Sequence, residues 1–272
     1  MNITSPRAFL FDVDGVIMNI VEKKITEPGI IEAVCELMNK GDLVCINTGR
    51  SIAQLFDKGV IDAIEKCVGD RKSLSYFIAS CEKGGSHLTY GNGEQKSYID
   101  ETLILPQDLR DAIRDLTEKK FTDSMFFDGT KQTMISVEMI DRYSVPQYQK
   151  RQQALIEEID KILNQPKYST LDLKVDPTLV SVDIQHKEAG KNLGARKIVE
   201  WLASKGITPA QIIAIGDSTG DAEMAEELQD KYAVEFVFVG DPELLDKSRL
   251  HCPVIVTKER FEKGTLEYLQ SL

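Results

Sequence analysis

The chain has 272 residues, of which 42% are hydrophobic and 28% are charged, so it can bury one large core or two smaller ones. Its formal net charge of −11 at pH 7 argues against a general nucleic-acid or anionic-membrane binder, because such proteins need a basic surface. The same charge means that local cations must face any anionic substrate.

The cysteines are odd in number and show no C-x-x-C spacing, which predicts reduced thiols and neither a zinc site nor a disulfide framework. They are Cys35, Cys45, Cys67, Cys81 and Cys252. A basic-then-apolar leader and an apolar run of about 18 residues are both missing, so a cytoplasmic protein without a membrane span is expected. The match of Asn2-Ile3-Thr4 to a glycosylation sequon is interpreted as coincidence.

The first predicted strand, over about residues 7–13, runs into two carboxylates placed two positions apart, Asp12 and Asp14. Alternate strand residues point to opposite sides, so the two can share a face only if the backbone turns, and Gly15 permits a sharp turn. One carboxylate can attack an electrophile while the other transfers protons, and a divalent cation can hold both. An EF-hand loop also begins Asp-x-Asp. Its fifth position supplies an oxygen ligand and its sixth is a glycine, but here these positions are the apolar Val16 and Ile17.

The second predicted strand, over residues 42–47, ends at Thr48-Gly49-Arg50. The Thr48 hydroxyl can bind an anionic oxygen, and it can also cap the helix predicted over 51–56. A third strand is predicted over 75–80.

Two further polar segments follow much later in the chain. Lys187 lies shortly before a helix predicted over 191–204, and Lys191 is the first residue of that helix. A lysine at either position can neutralise the charge of a phosphate. A strand predicted over 211–216 then continues into a loop with Asp217 and Asp221, a second acidic cluster of the metal-binding type. The second of these carboxylates can be a direct ligand, a partner of a ligand, or a charge that is favourable at a helix N-terminus.

The predicted strands are apolar along most of their length, which is typical of a parallel sheet buried on both faces. They alternate with helices and predict an α/β fold with a doubly wound parallel sheet, in which ligands bind beyond the carboxyl ends of the strands. Residues 83–181 break this rhythm with shorter strand-like pieces around a helix at 146–164. The expected organisation is a core of residues 1–82 and 182–272 with a separate α+β cap domain at 83–181.

With these motifs in this order, the chain resembles the haloacid dehalogenase (HAD) superfamily of phosphatases and phosphomutases. The signatures of that superfamily are an Asp-x-Asp strand end, a Thr or Ser strand end, a Lys, and a Gly-Asp-x-x-x-Asp loop. The resemblance covers about residues 7–82 and 182–256, and the position of the insert resembles the C2-capped, Cof-like group (type IIB). Two residues depart from the usual pattern. Val16 replaces Thr, which is expected to be tolerated, and Lys83 replaces the Asn of related phosphatases, which is expected to alter substrate contacts.

The resemblance implies a Mg²⁺-dependent phosphomonoester hydrolase that works through an aspartyl phosphate, with Asp12 as nucleophile and Asp14 as general acid and then base. The residues implied to form the metal site are Asp12, Asp14 (through its backbone carbonyl), Asp217 and Asp221. The residues implied to bind the substrate are Thr48, Gly49, Arg50 and Lys191. Family spacing favours Lys191 over Lys187 for this role.

A sugar phosphate or another small phosphorylated metabolite is the substrate class that the resemblance favours. The cap would exclude water and select the leaving group. A phosphomutase of the phosphomannomutase type is the alternative. A non-catalytic phosphate-binding regulatory protein is disfavoured, because such a protein usually lacks one of the catalytic aspartates and this chain keeps them all.

Overall fold

The computed structural model describes residues 6–141 and 143–272, and the Asn2-Ile3-Thr4 sequon lies outside this part. The chain divides into two compact units. The core unit comprises Met1–Tyr98 and Gly190–Leu272, and the insert unit comprises Ile99–Ala189.

Twelve strands and eight α-helices occur in the part of the chain that the structure describes. The strands are β1 (Arg7–Phe11), β2 (Leu43–Asn47), β3 (Ile78–Cys81), β4 (Ser86–Gly91), β5 (Glu94–Ile99), β6 (Met125–Phe127), β7 (Ile135–Met139), β8 (Leu173–Pro177), β9 (Ser181–His186), β10 (Gln211–Gly216), β11 (Val234–Phe238) and β12 (Val254–Val256). The helices are α1 (Gly29–Asn39), α2 (Ile52–Asp57), α3 (Val60–Val68), α4 (Gln107–Lys120), α5 (Val145–Leu163), α6 (Lys191–Ser204), α7 (Ala222–Leu228) and α8 (Phe261–Gln270). Of the helices described, none is both long and apolar enough to cross a membrane.

The core unit is built on an eight-stranded sheet in the order β12-β11-β10-β1-β2-β3-β4-β5. Neighbouring strands from β12 to β3 are parallel, and β4 joins β3 in the antiparallel direction. Apolar side chains on one face of the sheet pack against α1, α3 and α8. Those on the other face pack against α6 and α7. The prediction of a mainly parallel α/β fold is confirmed. The strands are apolar because both faces of the sheet are buried, as expected.

The boundaries between the units differ from the predicted ones. Strands β4 and β5 extend the large sheet, so the insert unit begins at Ile99 and not at residue 83. A tight turn at Asn92-Gly93, where both residues have positive φ, connects these two strands. All but the last residue of β5 are exposed, so this edge strand carries no apolar pattern that sequence reasoning could detect.

The insert unit contains a four-stranded sheet in the order β6-β7-β9-β8, and all its strand pairs are antiparallel. Residues of α4 and α5 pack against one face of this sheet and form a separate apolar core. Because β9 pairs with β7 and β8, the insert unit extends to Ala189 and not to residue 181. The α+β character of the insert agrees with the alternation of short strands and a long helix in the sequence.

The prediction that all the cysteines are reduced needs a correction, because Cys35 and Cys67 form a disulfide. These residues lie on α1 and α3, which pack together and bring the two Cα atoms within 6.3 Å across a sequence separation of 32. Free thiols are found at Cys45, Cys81 and Cys252. Sequence spacing did not indicate the pair, since only the packing of two helices brings it together.

Candidate active site

Three predicted site residues follow adjacent parallel strands. Asp12 follows β1, Thr48 follows β2 and Asp217 follows β10. Strand β1 lies between the other two in the sheet. Because the carboxyl ends of parallel strands meet at one edge, this edge of the sheet collects the polar residues.

Gly15 allows the chain to turn sharply after β1. Its φ is +72°, and its N–H donates to the carbonyl of Met18 at 2.7 Å. A Cβ atom at this position would overlap the carboxylate of Asp217. The turn and Asp217 can therefore approach each other only because residue 15 has no side chain.

Lys191, the first residue of α6, joins two carboxylates by ion pairs. Its Nζ lies 2.5 Å from Oδ1 of Asp12 and 2.8 Å from Oδ1 of Asp221, and all three side chains are largely buried. Burial alone would lower the pKa of Lys191, but the two carboxylates raise that pKa above its usual value, so the ammonium stays charged. Lys187 instead pairs with Asp172 at 2.7 Å on the surface of the insert unit. Within the core unit, the structure brings Lys191 next to Asp12.

The two carboxylates that would hold a metal have raised pKa values in the absence of a cation. Burial is the main cause for Asp12 and, together with repulsion from Asp221 and Asp14, it outweighs the attraction of Lys191, so the pKa of Asp12 rises to about 7. Burial, followed by repulsion from Asp221 and Asp12, raises the pKa of Asp217 to about 9. Carboxylates crowded in this way are stabilised by a cation.

A magnesium ion fits this cluster. Carboxylate oxygens of Asp12, Asp217 and Asp221 lie within 4.8 Å of one another, and carboxylates are the ligands that Mg²⁺ prefers. The side chain of Asp14 is outside this group, so its predicted metal contact through the backbone carbonyl stays a prediction.

Asp221 is held in place by its own loop. Its Oδ2 accepts hydrogen bonds from the N–H of Asp217 at 3.2 Å, the N–H of Ser218 at 3.0 Å and the Oγ of Ser218 at 2.7 Å. Its Oδ1 pairs with Lys191. Of the three roles that the sequence left open, this geometry favours a residue that orients the loop and Lys191 over a direct ligand.

The Asp14 carboxylate is bound at both oxygens by Arg50. Arg50 Nε donates to Oδ2 at 2.8 Å and Nη2 donates to Oδ1 at 2.7 Å. A planar guanidinium that contacts both oxygens fixes the orientation of a carboxylate. The prediction that Arg50 also binds substrate stays a prediction.

Thr48 is buried, and its Oγ1 accepts a hydrogen bond from the N–H of Arg50 at 3.1 Å. The helix-capping alternative is wrong, because Ser51 is the N-cap of α2 and accepts from the N–H of Gln54 at 3.1 Å. Among the described residues, the Thr48 hydroxyl hydrogen finds no acceptor. It is available to donate to a bound anion.

Asn47 is a residue that sequence reasoning missed. The side-chain Nδ2 of Asn47 donates to the backbone carbonyl of Lys191 at 2.8 Å. The backbone carbonyl of Asn47 accepts a hydrogen bond from Lys191 Nζ at 2.8 Å. A Cβ on Gly194 would overlap the Asn47 amide, so this approach also requires a glycine on α6. The available signal was a polar residue, fully buried, at the end of an otherwise apolar strand.

A family model described as haloacid dehalogenase-like hydrolase matches residues 9–236. The chain belongs to this family. The predicted superfamily and its class of enzyme are confirmed. No curated protein matches the chain.

Solved structures of several phosphatases share the fold. The C-terminal domain of a trehalose-6-phosphate phosphatase from C. albicans is 17% identical, with a TM-score of 0.67 over 98% of this chain and 92% of that one. A trehalose-6-phosphate phosphatase related protein is 15% identical, with a TM-score of 0.60 over 97% and 96%. The sucrose-phosphatase of Synechocystis sp. PCC6803, in complex with sucrose and phosphate, is 14% identical, with a TM-score of 0.56 over 98% of both chains. At these identities the similarity shows the fold.

Proposed function

We propose that the protein is a Mg²⁺-dependent phosphomonoester hydrolase that acts on a small sugar phosphate through an aspartyl phosphate. The observation that carries this proposal is the position of Asp12, which ends the central strand of the sheet beside Lys191, Asp217 and Asp221. A carboxylate held by one cation and placed at a second cation site is suited to attack an anionic phosphoryl group.

In the first step, Asp12 forms a bond to phosphorus while the bond from phosphorus to the ester oxygen breaks. Lys191 pairs with one oxygen of Asp12, which leaves the other oxygen to attack. Asp14, oriented by Arg50, gives its proton to the departing alcohol oxygen. In the second step, Asp14 takes a proton from the water that attacks the aspartyl phosphate, and orthophosphate is released. Mg²⁺, when bound by Asp12, Asp217 and the carbonyl of Asp14, would neutralise charge on the phosphoryl group.

The class of ester follows from two considerations. Structural relatives include enzymes that are named for trehalose 6-phosphate and for sucrose phosphate, and these proteins share the complete fold with this chain. The insert unit contributes none of the residues proposed for phosphoryl transfer, all of which belong to the core unit. Its proposed role is therefore to select the leaving group and to limit the access of water.

A panel of sugar phosphates and other phosphorylated metabolites tests the proposal directly. With Mg²⁺ present, the full chain is expected to release orthophosphate from at least one sugar phosphate, and none when EDTA is in excess. Asp12→Asn serves as the blank for contaminating phosphatases. Release of phosphate in excess EDTA would contradict the metal-dependent mechanism. An isomerised substrate without free phosphate would indicate the phosphomutase alternative.

Arg50→Gln is expected to slow the hydrolysis of an alkyl phosphate about 100-fold, because Asp14 loses the group that orients it for proton transfer. An activated aryl ester departs without a proton, so its turnover should fall much less. Arg7→Gln is the matched control, since Arg7 contacts both oxygens of Asp42 elsewhere in the core unit. Equal losses for both esters would show that Arg50 does not act through Asp14.

A further inference from the structure

Asn47 is fully buried at the carboxyl end of β2. Leu43 and Cys45 on the same strand belong to the apolar core shared with α6, and the alternation of side chains along a strand places Asn47 on that face too. A buried amide costs free energy unless its polar atoms are bonded. An amide that interrupts an apolar strand at this position therefore indicates a specific partner on α6.

That partner is Lys191, the first residue of α6, which Asn47 contacts at two places. The side-chain Nδ2 of Asn47 donates to the backbone carbonyl of Lys191, and the backbone carbonyl of Asn47 accepts from Lys191 Nζ, both at 2.8 Å. The first bond fixes the start of α6 against β2, and the second fixes the end of the lysine side chain. One residue therefore holds both the backbone and the ammonium of Lys191.

The approach of Asn47 to α6 requires Gly194. A Cβ atom at this position would lie 2.0 Å from Oδ1 and 3.0 Å from Nδ2 of Asn47, and both distances are shorter than van der Waals contact. Glycine is less favourable than alanine within a helix. The chain nevertheless has glycine where the amide meets α6, so the contact depends on this pair of residues.

Three acceptors surround the Lys191 ammonium, which has three N–H donors. They are the backbone carbonyl of Asn47 at 2.8 Å, Oδ1 of Asp12 at 2.5 Å and Oδ1 of Asp221 at 2.8 Å. The Asn47 carbonyl is part of the sheet, and β2 is the neighbour of β1, which ends just before Asp12. A shift of the ammonium away from this carbonyl would therefore also change its contact with Asp12.

We propose that Asn47 is a positioning residue that acts through Lys191. Its amide fixes the start of α6, so that the ammonium of Lys191 stays on one oxygen of Asp12 and leaves the other oxygen aimed at phosphorus. This inference rests on the proposed function for its effect on the reaction. The position of the ammonium itself can be measured without any ester.

The rate of hydrogen exchange at the Lys191 ammonium, measured by proton–nitrogen NMR on the metal-free full chain, tests the proposal. Lys191→Gln identifies the signal by its absence. Exchange is slow where every N–H is bonded to a buried acceptor, and Asn47→Ala should make it at least about tenfold faster. The start of α6 keeps the bond from the N–H of Gly190 to the carbonyl of Lys83 at 3.0 Å, so the variant should fold.

The matched control is Gln152→Ala. Gln152 is another buried side-chain amide that donates to backbone carbonyls, at 2.8 Å and 2.9 Å, but its partners belong to the insert unit. Its removal should leave exchange at Lys191 within about twofold of wild type. An equal effect of both substitutions would overturn the proposal, as would a wild-type protein without a slowly exchanging Lys191 signal.

Two further variants keep the test independent of a cavity at residue 47. Asn47→Leu has nearly the same shape and lacks the amide donor, and Gly194→Ala displaces the amide without changing it. Each should speed exchange as Asn47→Ala does. In a chain that already carries Asn47→Ala, the added methyl has no amide to displace, so Gly194→Ala should add less than about twofold. Unchanged exchange in folded Asn47→Ala and Asn47→Leu proteins, or additive effects in the double variant, would overturn the proposal.

Turnover of an activated aryl phosphate separates this role from a general structural one. Asn47→Ala should lower kcat about tenfold in the wild-type chain but less than about twofold in a chain that already carries Lys191→Gln. Equal losses in the two chains would show that Asn47 does not act through Lys191. Slow exchange that depends on Asn47, in a protein that hydrolyses no ester, would contradict the proposed function alone.

Discussion

Asp12→Asn is expected to lower phosphate release at least about a thousandfold, because an amide of nearly the same shape cannot form the aspartyl phosphate. The substitution should leave the fold intact. Burial raises the pKa of Asp12, which shows that its charged form is unfavourable there, and Lys191 keeps Asp221 as a partner when the charge of Asp12 is removed. Turnover of an activated aryl phosphate, together with circular dichroism, measures both expectations.

Asp42→Asn is the matched control for this experiment. Asp42 accepts two hydrogen bonds from the guanidinium of Arg7 and precedes β2, so it lies at the opposite end of that strand from Thr48. It should keep most of the activity. If a folded Asp12→Asn protein retains more than a few per cent of wild-type turnover, Asp12 is not the nucleophile.

The place of the candidate site at one edge of the sheet was predictable from the pattern of short apolar runs. Asp12, Thr48 and Asp217 each follow an apolar run too short for a helix, and buried runs of that kind form parallel strands. Parallel strands end at the same edge, so polar residues that follow them converge without any knowledge of distant contacts. The family motifs added the lysine, whose place at the start of α6 agrees with the helix predicted over 191–204.

Other features depend on tertiary contacts that no local pattern encodes. Arg50 has a long flexible side chain, and its spacing from Thr48 does not reveal that its guanidinium contacts Asp14. The exposed strand β5 joins the sheet through a tight turn and not through apolar residues. The disulfide between Cys35 and Cys67 depends on how two helices pack. In each case the tertiary fold determines which residues or strands are in contact.

The metal requirement should respond to Asp217 and to pH together. Asp217→Asn is expected to raise the Mg²⁺ concentration for half-maximal turnover at least about tenfold, because one carboxylate ligand is lost. The pKa of Asp217, about 9 without a cation, means that Mg²⁺ must displace a proton. The wild-type protein should therefore need less Mg²⁺ as pH rises from about 6 to 9. The Mg²⁺ requirement of Asp217→Asn should change less with pH, because the variant lacks the Asp217 proton that competes with Mg²⁺.

The same carboxyl group should lower the stability of the metal-free protein at high pH. The unfolded chain loses this proton near pH 4 and the folded chain holds it to about pH 9, so the folded state binds more protons in that window. The free energy of unfolding must then fall as pH rises through the window. Asp217→Asn removes the effect, and in EDTA the variant should be more stable than wild type by at least about 1 kcal/mol at pH 8 and by less at pH 5. Urea unfolding measures the difference, with the exposed Asp62→Asn as control. A difference that does not grow with pH would contradict the raised pKa and, with it, the crowding of carboxylates on which the metal site depends.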